Sequence, residues 1–415
     1  MRILMCNSFY YMRGGAERCV LELSSLLEKK GHEVIPFAMS HEKNLPSKYS
    51  NYFVSYIDYP SLLKQKTDIR TISKVIERDV YSHEAKEKII QLIKDTKPDI
   101  AHVHGYGHEL SPSILDGIKS FRIPIVQTLH DYGLLCPNTS FISQGQICER
   151  CKVKRYYNVV LHRCKRNSLQ ASTVAGLEKY YQSATHIFDK NIDIFISPSK
   201  YLKQKMIEYG WKQEIVLIPN FINIERFQPN YSPSDYYVFS GRLVEIKGLY
   251  TLLESAKQNR NIKLFIAGDG EIREPLQQMI LENQLSNVVL LGHLDSSELI
   301  KLISGAAFTV MPSEWYENYP MSIIEAFACG KSVIASNLGA IPDLVKDNWN
   351  GLLFEAGNST QLAERIKFLF EHQDKAAEMG MNGRKEVETI NNPEEHYQRT
   401  MQTYQHILEA NGSKN

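Results

Sequence analysis

Twice in this sequence a short apolar strand runs into a glycine turn and then into an amphipathic helix, and that pattern limits the fold more than any other feature. The first instance starts at residues 2–6 (RILMC), passes Gly14 and Gly15, and enters a helix with apolar Val20, Leu23, Leu26 and Leu27, stopped by Gly31. The second is YYVFSGRLVEIKGLYTLLESAKQ, followed by further strand-like runs in IKLFIAGDG, NVVLLGHLD and AAFTVMPSE. Strand, helix and strand in succession require a parallel sheet. A chain of 415 residues also exceeds what one core usually holds.

The pattern therefore predicts an α/β protein of two Rossmann-like domains facing across a cleft. Residues 1–228 form the first domain and 232–390 the second, with FINIERFQPNYSP (221–233) as the link. The amphipathic stretch from Pro393, within 393–415, is long enough to cross back to the first domain. Residues 60–97 look helical and polar. The runs DIAHVHG and IPIVQTLHD look like buried strands ending in His102 and His104, and in His130 and Asp131. Ligands in open α/β sheets sit beyond the carboxyl ends of strands, where these histidines fall. Gly14 and Gly15 fit either a simple turn or a close backbone approach by a ligand.

The most informative stretch is 312–336, PSEWYENYPMSIIEAFACGKSVIAS. It predicts a strand end, a polar-aromatic loop, a helix opening at Pro320 and a stop at Gly330. Proline suits the first helical position, where its missing N–H would have had no partner. The amides of Met321, Ser322 and Ile323 would then point outward as a seat for phosphate, with the positive end of the helix dipole behind them. Glu325 lies deep enough in the helix to be held rigidly and to accept from a ribose diol, whereas Glu317, on the loop, can reach a sugar ring. A second anchor is Arg242 with Lys247, two cations five residues apart across a strand-end turn. Arg grips phosphate bidentately and Lys acts as a point charge.

Net charge of +1 argues against a general nucleic-acid binder. No apolar run approaches the roughly 18 residues of a membrane span, and the start looks like a strand rather than a signal peptide, so the expected location is cytoplasmic. Residues 133–170 are irregular and carry Cys136, Cys148, Cys151 and Cys164. A Cys-x-x-Cys with two flanking cysteines fits a structural zinc site, and four reduced thiols fit equally. Lys152, Lys154, Arg155, His162, Arg163, Lys165 and Arg166, with Tyr156 and Tyr157 among them, suit anionic head groups at the inner face of a membrane, a pyrophosphate-bearing substrate, or a solvated loop.

Taken together, RGGAERCVLELSSLL, QTLHDYGLLCP, VLIPNFINIERFQP, SGRLVEIKGLYTLLESA, LFIAGDG and the 312–336 stretch resemble glycosyltransferase family 4, retaining enzymes of the GT-B fold, over nearly the whole chain. The resemblance implies transfer of a sugar from a nucleotide-sugar donor to a glycan or polyprenyl-linked acceptor, with no metal needed for catalysis and nucleic acid not a partner. It implies that Arg242 and Lys247 bind the diphosphate, that Gly15 gives it room, and that Glu325 binds the ribose. Glu317, Asn318, Tyr319, Pro320, Met321 and Ser322 would hold the sugar, and Gly268, Gly270, His293 and Leu294 would line the base pocket. His130 matches the histidine near the sugar, where it can orient hydroxyls or stand as a structural neighbour of Asp131. Phe221 stands where the family commonly has Gly, and Glu-Asn-Tyr-Pro-Met replaces the common Glu-Gly-x-Gly-x-Pro, which leaves the sugar open. An epimerase-like enzyme on the same fold would need an acid/base pair that the sugar loop lacks. A zinc-dependent nucleic-acid binder would leave Arg242, Lys247 and the two glutamates unexplained.

Overall fold

The structure, a computed structural model, describes residues 1–57 and 78–412. The first domain is a six-stranded parallel sheet of β1 (Arg2–Asn7), β2 (Glu33–Phe37), β3 (Ile100–Gly105), β4 (Ile125–Thr128), β7 (Ile194–Ser197) and β8 (Glu214–Leu217), in the order β2-β1-β3-β4-β7-β8. A separate antiparallel hairpin, β5 (Ile142–Ser143) and β6 (Gln146–Ile147), lies in the cysteine-bearing insertion. The second domain is a parallel sheet of β9 (Tyr236–Ser240), β10 (Lys263–Ala267), β11 (Val288–Gly292), β12 (Thr309–Met311), β13 (Val333–Ser336) and β14 (Gly351–Phe354), in the order β11-β10-β9-β12-β13-β14. Strands covered by helices on both faces must be apolar almost throughout. Ile3, Leu4, Met5 and Cys6 of β1 and Tyr237, Val238 and Phe239 of β9 are accordingly all buried.

In both sheets the strand order reverses beside the first strand of the domain, between β1 and β3 and between β9 and β12. A crevice opens at such a reversal, beyond the carboxyl ends of the strands. The helix Gly15–Lys29 follows β1, and the helix Met321–Ala328 follows β12. A Cβ added to Gly15 would lie 4.0 Å from Met321 Cγ, so the two helix starts face each other from opposite domains.

Of the helical stretch expected at 60–97, the structure gives His83–Thr96, capped by Ser82 Oγ accepting from the Ala85 amide at 3.2 Å; residues 60–77 lie outside the described residues. The last helix, Pro393–Gly412, returns to the first domain, where Met401, Tyr404 and Ile407 join the core around Ile3, Val126 and Ile196. Asn391 ties the two interdomain crossings together: its side-chain amide donates to Asn220 O at 2.6 Å, and its carbonyl accepts from the Ile222 amide at 3.0 Å. Phe221, the departure from the family's glycine, packs its ring 4.5 Å from that of His396 at this junction.

Tyr404 is fully buried and its hydroxyl lies 2.6 Å from His102 Nδ1. Tyr404→Ala should therefore lower stability by about 3–5 kcal/mol, the cost of removing a buried aromatic ring, as read from urea unfolding of the variant against the parent.

Candidate functional site

Backbone packing at three glycines builds the second domain's side of the crevice. Gly248 follows the turn Glu245–Lys247 with φ +69°, and a Cβ there would lie 1.8 Å from Pro312 O. Only glycine allows this approach, and it presses the Lys247 turn against the end of β12. Gly268 and Gly270 do the same between the loops after β9 and β10, since a Cβ on either would run into Gly241 O at 1.9 Å or Leu243 O at 2.3 Å. Packing alone thus accounts for the two glycines assigned to the base pocket. His293 and Leu294 follow β11 at the same sheet edge, His293 exposed and Leu294 half-buried.

Pressed against this strand end, Lys247 reaches Glu317. Its ammonium lies 2.6 Å from Glu317 Oε1, and Ser313 Oγ donates to the same oxygen at 2.6 Å. Glu317 is buried. Burial pushes its carboxyl pKa up, but the Lys247 charge and the hydrogen bonds from Lys247 and Ser313 outweigh that and hold it below the usual carboxylate range. Arg242 is exposed on the preceding turn and has no ion-pair partner among the described residues.

The helix after the loop begins one residue later than the sequence suggested. Pro320 is the N-cap, with ψ 114°, and Met321 is the first helical residue. The Ile323 amide is also not free: it donates to Pro320 O at 3.2 Å. The open seat consists of the amides of Met321 and Ser322, which find no acceptor among the described residues.

Glu325 is paired across the cleft with the guanidinium of Arg18, which also holds Glu22 at 3.0 Å. Arg18 is the residue the sequence reading missed; its signal was a cation in the first turn of the helix that opens at Gly15. Asn318 also spans the cleft, donating to Leu129 O at 3.0 Å and accepting from Ser199 Oγ at 3.0 Å. Tyr319 points elsewhere. Its hydroxyl accepts from Asn391 Nδ2 at 2.6 Å, so this side chain serves the interdomain junction rather than the sugar loop.

On the first domain, His130 Nε2 lies 2.9 Å from His104 Nδ1. Burial lowers the His130 pKa to about 4, so the ring is neutral at physiological pH. Asp131, its chain neighbour, instead accepts from the Gly133 amide at 2.7 Å, and its carboxyl pKa is raised by burial. His102 is taken up by Tyr404 and by Thr128 Oγ1 at 2.7 Å. The four cysteines Cys136, Cys148, Cys151 and Cys164 are free thiols and line one small cavity. Among the described residues no three His, Cys, Asp or Glu side chains already stand at metal-ligand geometry. No helix among them is long and apolar enough to cross a membrane.

Two parallel α/β domains facing each other across a crevice place the fold in the GT-B class. Residues 13–226 match the family described as Glycosyltransferase Family 4, and residues 221–386 match Glycosyl transferases group 1. The chain belongs to glycosyltransferase family 4. It is 25% identical over 355 residues to an "Uncharacterized 42.6 kDa protein in cps region" of Klebsiella pneumoniae, covering 83% of this chain and 87% of that one. It is 27% identical to the lipopolysaccharide core biosynthesis glycosyltransferase LpsE of Rhizobium meliloti, over 43% of this chain and 54% of that one. In fold it resembles Anabaena HepE in complex with UDP-glucose, with a TM-score of 0.65, 18% identity and 100% of both chains covered.

The depressed carboxyl of Glu317 gives a pH prediction. A carboxyl with its folded pKa below its unfolded value (about 4.3 for Glu) contributes stability above the unfolded pKa, and that contribution fades as pH falls through the folded pKa. The stability difference between the parent and Glu317→Gln should therefore be largest near neutrality and shrink on acidification below about pH 4, as followed by denaturant unfolding across pH.

Proposed function

We propose that the protein is a retaining glycosyltransferase that moves a sugar from a UDP- or GDP-sugar to a glycan or polyprenyl-linked acceptor in bacterial surface-polysaccharide synthesis. The observation that carries this reading is the Lys247–Glu317 pair, 2.6 Å apart, beside a helix start with two free amides. In this reading Arg242, Lys247 and those amides take up the negative charge of a departing diphosphate, and preorganised charge of this kind lowers the barrier directly. In this mechanism the bond from the anomeric carbon to the phosphate oxygen breaks while the bond to the acceptor oxygen forms on the same face. The leaving phosphate oxygen takes the acceptor's proton, so no protein nucleophile is used and the protein's cations do the work a metal would otherwise do. Glu317, held anionic, lies beside the positive charge that develops on the sugar. His130, neutral and with no hydrogen-bond partner for Nδ1 among the described residues, can orient a sugar hydroxyl. For the ribose to reach Glu325, that carboxylate must exchange Arg18 for the diol.

UDP-sugars are favoured as donors by the likeness to Anabaena HepE with its UDP-glucose, and a surface glycan by the likeness to a lipopolysaccharide core enzyme. A membrane-borne acceptor is favoured by the insertion's surface. Val153, Tyr157, Leu161, Leu169, Leu177 and Tyr180 are all exposed, and Lys154, Arg155, Arg163 and Arg166 lie among them. Apolar side chains among basic ones suit the boundary of an anionic bilayer.

A panel of UDP-, GDP- and ADP-sugars with product analysis should find one donor turned over with retention. With that donor, Lys247→Ala and Glu317→Ala should each lower turnover by ~10²–10³-fold, while Glu325→Ala should mainly weaken nucleotide binding. Near-parental turnover in Lys247→Ala would overturn the assignment. Cosedimentation with anionic vesicles should fall when Lys154, Arg155, Arg163 and Arg166 are neutralised together; unchanged binding would remove the case for a membrane surface there.

A further inference from the structure

The stretch from Cys136 to Cys164, inside the insertion between β4 and β7, has little regular structure to hold it. Six of the fourteen non-glycine residues with positive φ among the described residues fall between Cys136 and Cys164: Thr139, Phe141, Gln144, Val153, Lys154 and Arg163. Its one sheet element is the β5–β6 hairpin, turned at Gln144 and Gly145 with φ of 53° and 74°. Yet its local bonds bring distant cysteines together. The turn before the hairpin sets Cys136, whose carbonyl accepts from Thr139 N at 2.9 Å. The hairpin's return sets Cys148, whose amide donates to Phe141 O at 2.7 Å. Cys151 follows in a turn closed by Lys152 N to Glu149 O at 3.0 Å. Cys164 is drawn back at the end of the short helix Tyr157–Leu161 by a bond from its amide to Val159 O at 3.0 Å.

All four thiols line one small cavity together with Phe141 and Val159. They form no disulfide, and Cys164 Sγ donates to Ser143 Oγ at 3.4 Å.

We propose that Cys136, Cys148, Cys151 and Cys164 bind one Zn²⁺ as thiolates, and that the metal fastens this insertion against the Glu317 loop. Zinc takes four thiolates tetrahedrally with Zn–S near ~2.3 Å, so the sulfurs must draw in from their present positions. A backbone so sparsely tied into sheet or helix can follow them. Each thiol gives up its proton on binding, so uptake of the metal releases up to four protons. The resulting site is doubly negative, and Lys152, Lys154, Arg155, Arg163, Lys165 and Arg166 surround it in sequence with the opposite charge.

The insertion in turn touches the sugar-side loop, and this half of the proposal rests on the role assigned above to Glu317. Tyr316 packs against Phe141 at 5.9 Å and Tyr132 at 6.4 Å, and its hydroxyl reaches Glu149 Oε1 at 3.4 Å. Glu149, which lies between Cys148 and Cys151, is itself held by Lys205 Nζ at 2.7 Å. Tyr132 donates to Glu317 O at 3.2 Å. A metal that orders Cys136, Cys148 and Cys151 therefore orders the residues that fix Tyr316 and Glu317.

Elemental analysis of the full chain, purified without a metal-affinity step, should find about one zinc per chain. Replacement by Co²⁺ should give the near-ultraviolet absorption of thiolate–cobalt bonds. Cys148→Ser with Cys151→Ser should lose the metal. Thiol titration after denaturation and chelation should count all seven cysteines as free. A chain without zinc after growth in zinc-replete medium, or a thiol count short by a disulfide, overturns the site. The zinc-free variant should still bind nucleotide through Arg242 and Lys247 but transfer sugar roughly ten- to hundredfold more slowly, as expected when a reacting loop is misplaced. Zinc in the parent chain with unimpaired transfer in the zinc-free variant would overturn the coupling while leaving the site in place. If no donor is turned over by the parent chain, the reading of the crevice fails and the metal count stands apart from it.

Discussion

A single close approach, the Gly248 backbone against the Pro312 carbonyl, fixes where the charges of the crevice can be. It leaves no room for a Cβ, and it brings the Lys247 ammonium to Glu317 while both belong to rigid turns. Burial alone drives the Glu317 pKa upward, and the Lys247 charge beside it outweighs that. The pairing thus favours a carboxylate held out of bulk water, where charge acts most strongly on a reacting bond. Strand β12 supplies the end of sheet from which the loop departs, and the helix from Met321 supplies the amides that face the cleft.

At this crevice polar clasps join the two domains, beside the packing of Tyr316 against Tyr132 and Phe141. Arg18 reaches Glu325, Asn318 reaches Leu129 and Ser199, and Tyr132 reaches the Glu317 carbonyl. Each clasp joins a group at the mouth of one domain to the stretch from Glu317 to Glu325 in the other. A ligand entering the crevice therefore competes with contacts that already bridge it, and binding exchanges partners rather than filling free valences.

Much of this was legible in the sequence because its signals are local. A glycine after an apolar run, a helix period after that glycine, and the repetition of both specify two parallel sheets without any tertiary knowledge. The pairing of Lys247 with Glu317 was not legible. The two lie 70 residues apart, and only the sheet order β9-β12 makes their turns adjacent. Arg18 was missed for the same reason, since its partner lies in the other domain. The bond from Asn391 to the Tyr319 hydroxyl was not legible either, because sequence adjacency to Glu317 and Pro320 does not reveal which way a side chain leaves a loop. The start of the helix was placed one residue early because proline is tolerated both as first residue and as cap, and only ψ distinguishes them.

The double passage of the chain between the halves has a mechanical consequence. Asn391 stitches the outgoing passage at Asn220 and Ile222 to the returning one, and Phe221 wedges against His396 at the same place. Two strands of peptide seamed side by side resist sliding and stretching but still yield to twist. Such a seam leaves rotation about its own line as the least hindered motion between the halves, and the Phe221 ring sits packed in it.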